Sequence, residues 1–97
     1  MCRIYASTPT RLYETETRSV RLNGYATSVR LERRFWSILE EIARGETQSV
    51  GQFLSTLHSE AVESHGDIDN FASLLRVACT VYLDRRRAMA PTLSTAA

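Results

Sequence analysis

Seven arginines stand in the first 34 residues, Arg3, Arg11, Arg18, Arg21, Arg30, Arg33 and Arg34, against only Glu14, Glu16 and Glu32. That leaves a local net charge of +4 in a chain whose total is +1. Arginine carries a planar, permanently charged fork suited to bidentate contact with phosphate or guanine, so the chemistry on offer is recognition of a polyanion. Residues 35–84 hold Arg44 and Arg76 against eight acids, a net of −6, and Arg85, Arg86 and Arg87 return +3. Arg18, Arg21, Arg30, Arg33 and Arg34 also fit a second description, as solvated charges that pair with the three glutamates. All 12 basic residues are arginine, which a GC-rich genome would produce as readily as selection for phosphate.

The residues usual in catalysis do not converge. His58 and His65 lie seven apart with no acid or cysteine to complete a metal set, and Cys2 and Cys79 lack ligand spacing. Glu40 and Glu41 are adjacent on a helical pattern, so their carboxylates diverge. No serine sits in a nucleophile turn. The sequence therefore reads as a non-enzyme without metal or cofactor. Two cysteines are too few for a disulfide scaffold, no apolar run reaches membrane length, and the N-terminus lacks a secretory pattern. A cytoplasmic protein without membrane contact is expected.

The arginines need elements to position them. Asn23-Gly24 is a strong hairpin signal, flanked by SVRL at 19–22 and again at 28–31. With that turn, Leu22 faces Tyr25, Val20 faces Thr27 and Arg18 faces Val29. One face then carries Val20, Leu22, Tyr25, Thr27, Val29 and Leu31. The other carries Ser19, Arg21, Ala26, Ser28 and Arg30.

From residue 32 the period becomes helical, with Phe35, Trp36, Ile38, Leu39, Ile42 and Ala43 on one side to residue 44. Glu32 suits the start and Gly45 a left-handed stop. Ser49 and Gln52 form a capping box for a second helix over 49–63, striped with Val50, Phe53, Leu54, Leu57 and Ala61. Ser64 to Gly66 ends it. Asp69 is the expected cap of a third helix over about 70–88, with Phe71, Leu74, Leu75, Ala78, Cys79 and Tyr82 inward. These elements divide the chain into an extended segment at 1–17, a domain at 18–88 and a flexible tail at 89–97.

A strand and two amphipathic helices leave apolar faces uncovered in one chain, and residues 26–31 leave a strand edge unpaired. A two-fold dimer satisfies both. Its expected core is Val29, Leu31, Phe35, Trp36, Leu39, Ile42, Phe53, Leu54 and Leu57, and a tetramer is a further option.

The run TSVRLERRFWSILEEIARGETQSVGQFLSTLHSEA, with DNFASLLRV at 69–77, resembles the ribbon-helix-helix superfamily of Arc/MetJ-type bacterial DNA-binding repressors. The likeness covers residues 18–83. It implies an α+β, mostly helical, intertwined homodimer in which one strand per subunit enters the major groove of double-stranded DNA, as in a transcriptional regulator. Carried onto this sequence, the base-reading positions are Ala26, Ser28 and Arg30. The amides of Ser49, Val50 and Gly51 would grip phosphate, joined by Arg18, Arg21, Arg33 and Arg34.

Two features pull the other way. Ala26 has no hydrogen-bonding group. If residues 18–22 fold back as a strand, the dimer sheet has four strands, whereas a groove about 12 Å wide admits two. The alternatives are a dimeric protein-interaction module of the same fold, with a partner on the third helix, or the antitoxin of a toxin-antitoxin pair.

Overall fold

A computed structural model describes residues 2–96, with side-chain surroundings described for Arg3 and residues 5–89. In chain order it contains α1 (Cys2–Ala6), α2 (Thr10–Tyr13), β1 (Thr15–Leu22), β2 (Tyr25–Glu32), α3 (Arg33–Gly45), α4 (Val50–His65) and α5 (Phe71–Ala96).

The strands form an antiparallel hairpin in which Leu22 faces Tyr25, Val20 faces Thr27 and Arg18 faces Val29, the expected register. Asn23 and Gly24 both take positive φ, 53° and 84°, the conformation of a two-residue turn whose twist matches the strands. Asn23 is also tied to α4, accepting a hydrogen bond from Ser59 Oγ at 2.9 Å.

The N-terminal segment corrects the expectation of an extended 1–17. The hairpin pairs 15–22 with 25–32, and residues 2–13 join neither of its edges. Their backbone groups are satisfied locally instead, as in Ser7 N–H to Arg3 O and Glu14 N–H to Thr10 O. Pro9 sits at the N-cap of α2, where its fixed φ and missing donor are tolerated.

Val20, Leu22, Val29 and Leu31 point from the hairpin into a core completed by Trp36, Ile38, Leu39, Leu54, Leu75 and Cys79. Tyr25 shares the inner side by alternation yet is 77% exposed. It lies beside the turn on β2, while α4 packs against β1, where Leu22 is buried.

Several helix ends differ from the sequence reading. Gly45 remains within α3, and the left-handed residue is Thr47 (φ 53°), after which Gln48 N–H reaches Ala43 O at 2.9 Å. Glu32 does not cap α3 with its side chain; it binds Arg76 of α5 at 3.0 Å. Asn70 caps α5 in place of Asp69, because it stands next to the first helical residue and its Oδ1 accepts from Ser73 N–H. Helix α4 extends to His65 and stops at Gly66 (φ 79°).

Helix α5 continues to Ala96, past the expected end near residue 88. Of the tail set apart at 89–97, the side chains from residue 90 and all of residue 97 lie outside the described residues, as does the side chain of Cys2. Burial pushes the Cys79 thiol up to about 11, so it stays protonated and packs as a small apolar group.

The expected dimer core splits in two. Val29, Leu31, Trp36, Leu39 and Leu54 are already buried within one chain, whereas Phe35, Ile42, Phe53 and Leu57 remain half-buried. The radius of gyration is 15.5 Å, above the roughly 13 Å of a compact chain this long.

Candidate nucleic-acid interface

The backbone of β2 determines which groups are free. A two-residue turn makes Leu22–Tyr25 a hydrogen-bonded pair, and bonded pairs recur at every second position. The bond from Arg33 N–H to Glu14 O, 2.9 Å, continues that series one step past the strand. Tyr25, Thr27, Val29 and Leu31 therefore spend their backbone groups on β1. Ala26, Ser28 and Arg30 turn theirs to the opposite edge, which no strand among the described residues occupies.

Side chains alternate in step. Ala26, Ser28 and Arg30 are exposed, on the face opposite the core, and β1 adds Thr15, Thr17, Ser19 and Arg21 to that face, all exposed. Among the described residues nothing covers the expected reading positions; β1 lies beside them in the ladder. Arg30 donates through Nε to Thr15 Oγ1 at 3.1 Å, which props the guanidinium above the sheet. Thr15 escaped the sequence reading because it sits diagonal to Arg30, whose direct partner is Thr17.

The arginines expected as phosphate contacts do not form one group. Arg18 faces inward, opposite Val29, with its guanidinium 4.5 Å from the Trp36 ring centre. It pairs with Glu16 at 2.6 Å and Glu40 at 3.2 Å, and Trp36 Nε1–H donates to Glu16 O at 2.8 Å. Burial lowers the Arg18 pKa, but bonds to the two glutamates outweigh it and leave the net shift upward, so this cation is neutralised in place. Arg18 is thus removed from the exposed group.

Arg33 and Arg34 open α3 and are exposed, with Arg33 Nε 3.7 Å from Glu16. Two cations at a helix N-terminus oppose its dipole, at about 0.3–1 kcal/mol each, and no acid occupies that first turn. An incoming anion would relieve this.

Helix α4 begins with the expected capping box, and the box itself narrows the amide set. Ser49 N–H is taken by Gln52 Oε1 at 3.0 Å, and Gln52 N–H by Ser49 Oγ at 3.2 Å. Phe53 N–H bonds Ser49 O. The amides left for an anion are those of Val50 and Gly51, not Ser49. An added Cβ at Gly51 would meet nothing within 4 Å. Gly51, Gln52 and Ser55 line a shallow open groove with Gly24 and Arg21, so the structure brings Arg21 and the first turn of α4 together. Arg21 also donates to Gly24 O at 3.2 Å.

Among the described residues no three metal-ligating side chains cluster, and no helix is long and apolar enough to cross a membrane.

The comparisons with known proteins bear on the fold. A solved structure, that of an uncharacterized protein from Bordetella pertussis Tohama I, is similar over 91% of this chain and 70% of its own, with 43% identity and a TM-score of 0.86. No curated protein matches. The family model for the ribbon-helix-helix domain matches residues 15–83, from the first residue of β1 into α5. Domains of this family are generally non-enzymatic DNA-binding folds of transcription regulators and antitoxins, and typically form dimers. With its exposed strand, its capped second helix and that match over most of its length, this chain belongs to the ribbon-helix-helix domain family.

Proposed function

We propose that two copies of this chain pair through the free edge of β2 and bind double-stranded DNA, as a transcriptional regulator. The observation that carries the reading is the coincidence on β2: the residues with unpaired backbone groups, Ala26, Ser28 and Arg30, are also those with side chains in solvent. A two-fold pairing there places two reading strands side by side at the centre of one exposed face. Half-buried Phe35, Ile42, Phe53 and Leu57 supply apolar surface for the partner.

Such a dimer has the strand order β1-β2-β2′-β1′. Strands lie about 4.8 Å apart, so the outer two sit roughly 7 Å from the axis and the inner two roughly 2.4 Å. A major groove about 12 Å wide has its walls near 6 Å. The inner pair fits within it, and each β1 falls over a phosphate wall. Detaching β1 is not an option at low cost, since Val20 and Leu22 are part of the core. Its outward Thr15, Thr17 and Ser19 are small hydrogen-bonding residues, and Arg21 is a cation, a composition suited to phosphate. Ser28 and Arg30 then read bases, with Ala26 as an apolar contact. Arg33, Arg34 and the Val50 and Gly51 amides hold phosphates further along.

The test is a gel-shift or filter-binding titration against genomic fragments at two salt concentrations. Arg21, Arg33 and Arg34 of both subunits would neutralise about six phosphates, so affinity should fall about 10³-fold between 50 and 200 mM salt. A dissociation constant no better than about 10⁻⁴ M at low salt would rule the reading out. The second reading, a dimeric interaction module, draws on the width of the sheet and on exposed Val77 and Val81 of α5. It gains ground if the protein dimerises yet shows no salt-dependent binding.

A further inference from the structure

We propose that Thr15 and Arg76 are positioning residues for Arg30: Thr15 aims its guanidinium at a guanine, and Arg76 keeps Glu32 from neutralising it. The proposal rests on the reading that β2 enters the major groove, and it names the base that Arg30 takes there.

Arg30 is exposed, and its Nε donates to Thr15 Oγ1 at 3.1 Å. With Nε spent, the donors left are the terminal amino groups, Nη1 and Nη2. Side by side they match O6 and N7 of guanine, the acceptor pair of the commonest specific contact in the groove. Adenine sets a donor beside its N7, so the same end-on pose is satisfied only once there. The bond to Thr15 also restricts a long side chain before DNA arrives, which lowers the ordering cost of the contact. The Thr15 hydroxyl proton stays available to a phosphate, so the two roles coexist.

Glu32 makes the second contact necessary. It stands two residues beyond Arg30, about 7 Å along the strand, and by alternation shares its face. It is also the direct register partner of Thr15, so Thr15, Arg30 and Glu32 form one group. An acid so placed is a ready partner for Arg30, and pairing would take the amino groups that guanine needs. Both carboxylate oxygens are held instead by Arg76 of α5, at 3.0 Å from Nε and 3.5 Å from Nη2. Among the described residues no ion pair joins Glu32 to Arg30. Their charges still interact: the Glu32 carboxyl lies below its usual range chiefly through the Arg76 bond, with Arg30 a lesser cause.

Dimethyl sulfate interference on a bound genomic fragment, with affinities for that fragment and a scrambled one, tests the proposal. The reagent methylates guanine N7, so a symmetric pair of methylated guanines should block binding of the parent protein. Arg30→Ala should show no such block. Thr15→Val keeps the shape, and should lower the preference for the fragment roughly three- to tenfold for each Arg30. Thr15→Ser should retain it. Arg76→Leu should lower the preference about two- to fivefold, by freeing Glu32 to take Arg30. Arg76→Gln reads the same step if Arg76→Leu folds poorly. Glu32→Gln breaks the same ion pair but frees no carboxylate. Alone it should keep the preference, and added to Arg76→Leu it should restore it. A merely structural pair would make Arg76→Leu and Glu32→Gln alike, and that result overturns the role of Arg76. A Thr15→Val protein as selective as the parent overturns the role of Thr15. If Arg30→Ala retains the guanine block, or the parent shows none, base reading by Arg30 itself fails and its positioning falls with it.

Discussion

Arg18 and Arg30 lie on adjacent strands of one hairpin and differ in everything but residue type. Arg18 points inward, stacks on Trp36 and is neutralised by Glu16 and Glu40. Arg30 points outward, with Thr15 as its side-chain partner and no acid within ion-pair distance among the described residues. The +4 of the first 34 residues is therefore not the charge that a ligand meets. The strand register divides it, placing one cation in the architecture and leaving others, Arg21 and Arg30, to solvent. Local net charge indicates that a polyanion site is possible; alternation determines which arginines belong to it.

The two faces can be separated by substitution, and the inner face should respond most. Leu31 is fully buried and adjoins Arg30 in sequence. Leu31→Ala should destabilise the fold by about 2–5 kcal/mol in urea unfolding, because the core cannot close over the lost volume. Arg30→Ala should change stability by less than about 0.5 kcal/mol. It should instead lose roughly 1–3 kcal/mol of discrimination between the best and a scrambled site. A large stability loss for Arg30→Ala would show that its bond to Thr15 is structural, and the contrast between the faces would collapse.

A subtler separation compares two arginines. Arg18→Ala should cost about 1 kcal/mol, from the ring contact and the half-exposed pairs, and leave DNA affinity and its salt dependence unchanged. Arg34→Ala should do the reverse: unfolding is unaffected, while affinity for every sequence falls and the log–log salt slope drops by about 1 for each phosphate no longer neutralised. If Arg18→Ala lowers the slope as well, its side chain leaves Trp36 when DNA binds.

Much of this division was legible in the sequence because local signals write it. Asn23-Gly24 and the repeated SVRL determine the register, and with it the sides of Arg18, Arg21, Ser28 and Arg30. Ser49 and Gln52 determine the start of α4 in the same way. That box also implies an occupied Ser49 amide, a consequence easily passed over when the three amides are treated as one group. Longer-range facts were not legible. The pairing of Arg18 with Glu40 spans 22 residues, and that of Glu32 with Arg76 spans 44, so both depend on how helices meet the sheet. The short helices α1 and α2, in a segment whose sequence reads as extended, were not legible either.

The smallest expected effect concerns Glu32, where the outer face of β2 gives way to α3. Arg76 holds its carboxylate below the usual range, chiefly by the side-chain hydrogen bond. A carboxylate with a folded pKa below its unfolded value, near 4.3, contributes stability that is complete above that value and is lost as pH falls through the folded pKa. Glu32→Gln keeps the shape and removes the charge. Its thermal midpoint should lie below that of the parent protein at about pH 7, and the gap should close as pH falls through the lowered folded pKa, where the parent protein loses the same pair. A gap that persists unchanged at low pH would mean that Glu32 acts through shape alone, and that the bond to Arg76 does not anchor α5 to the sheet.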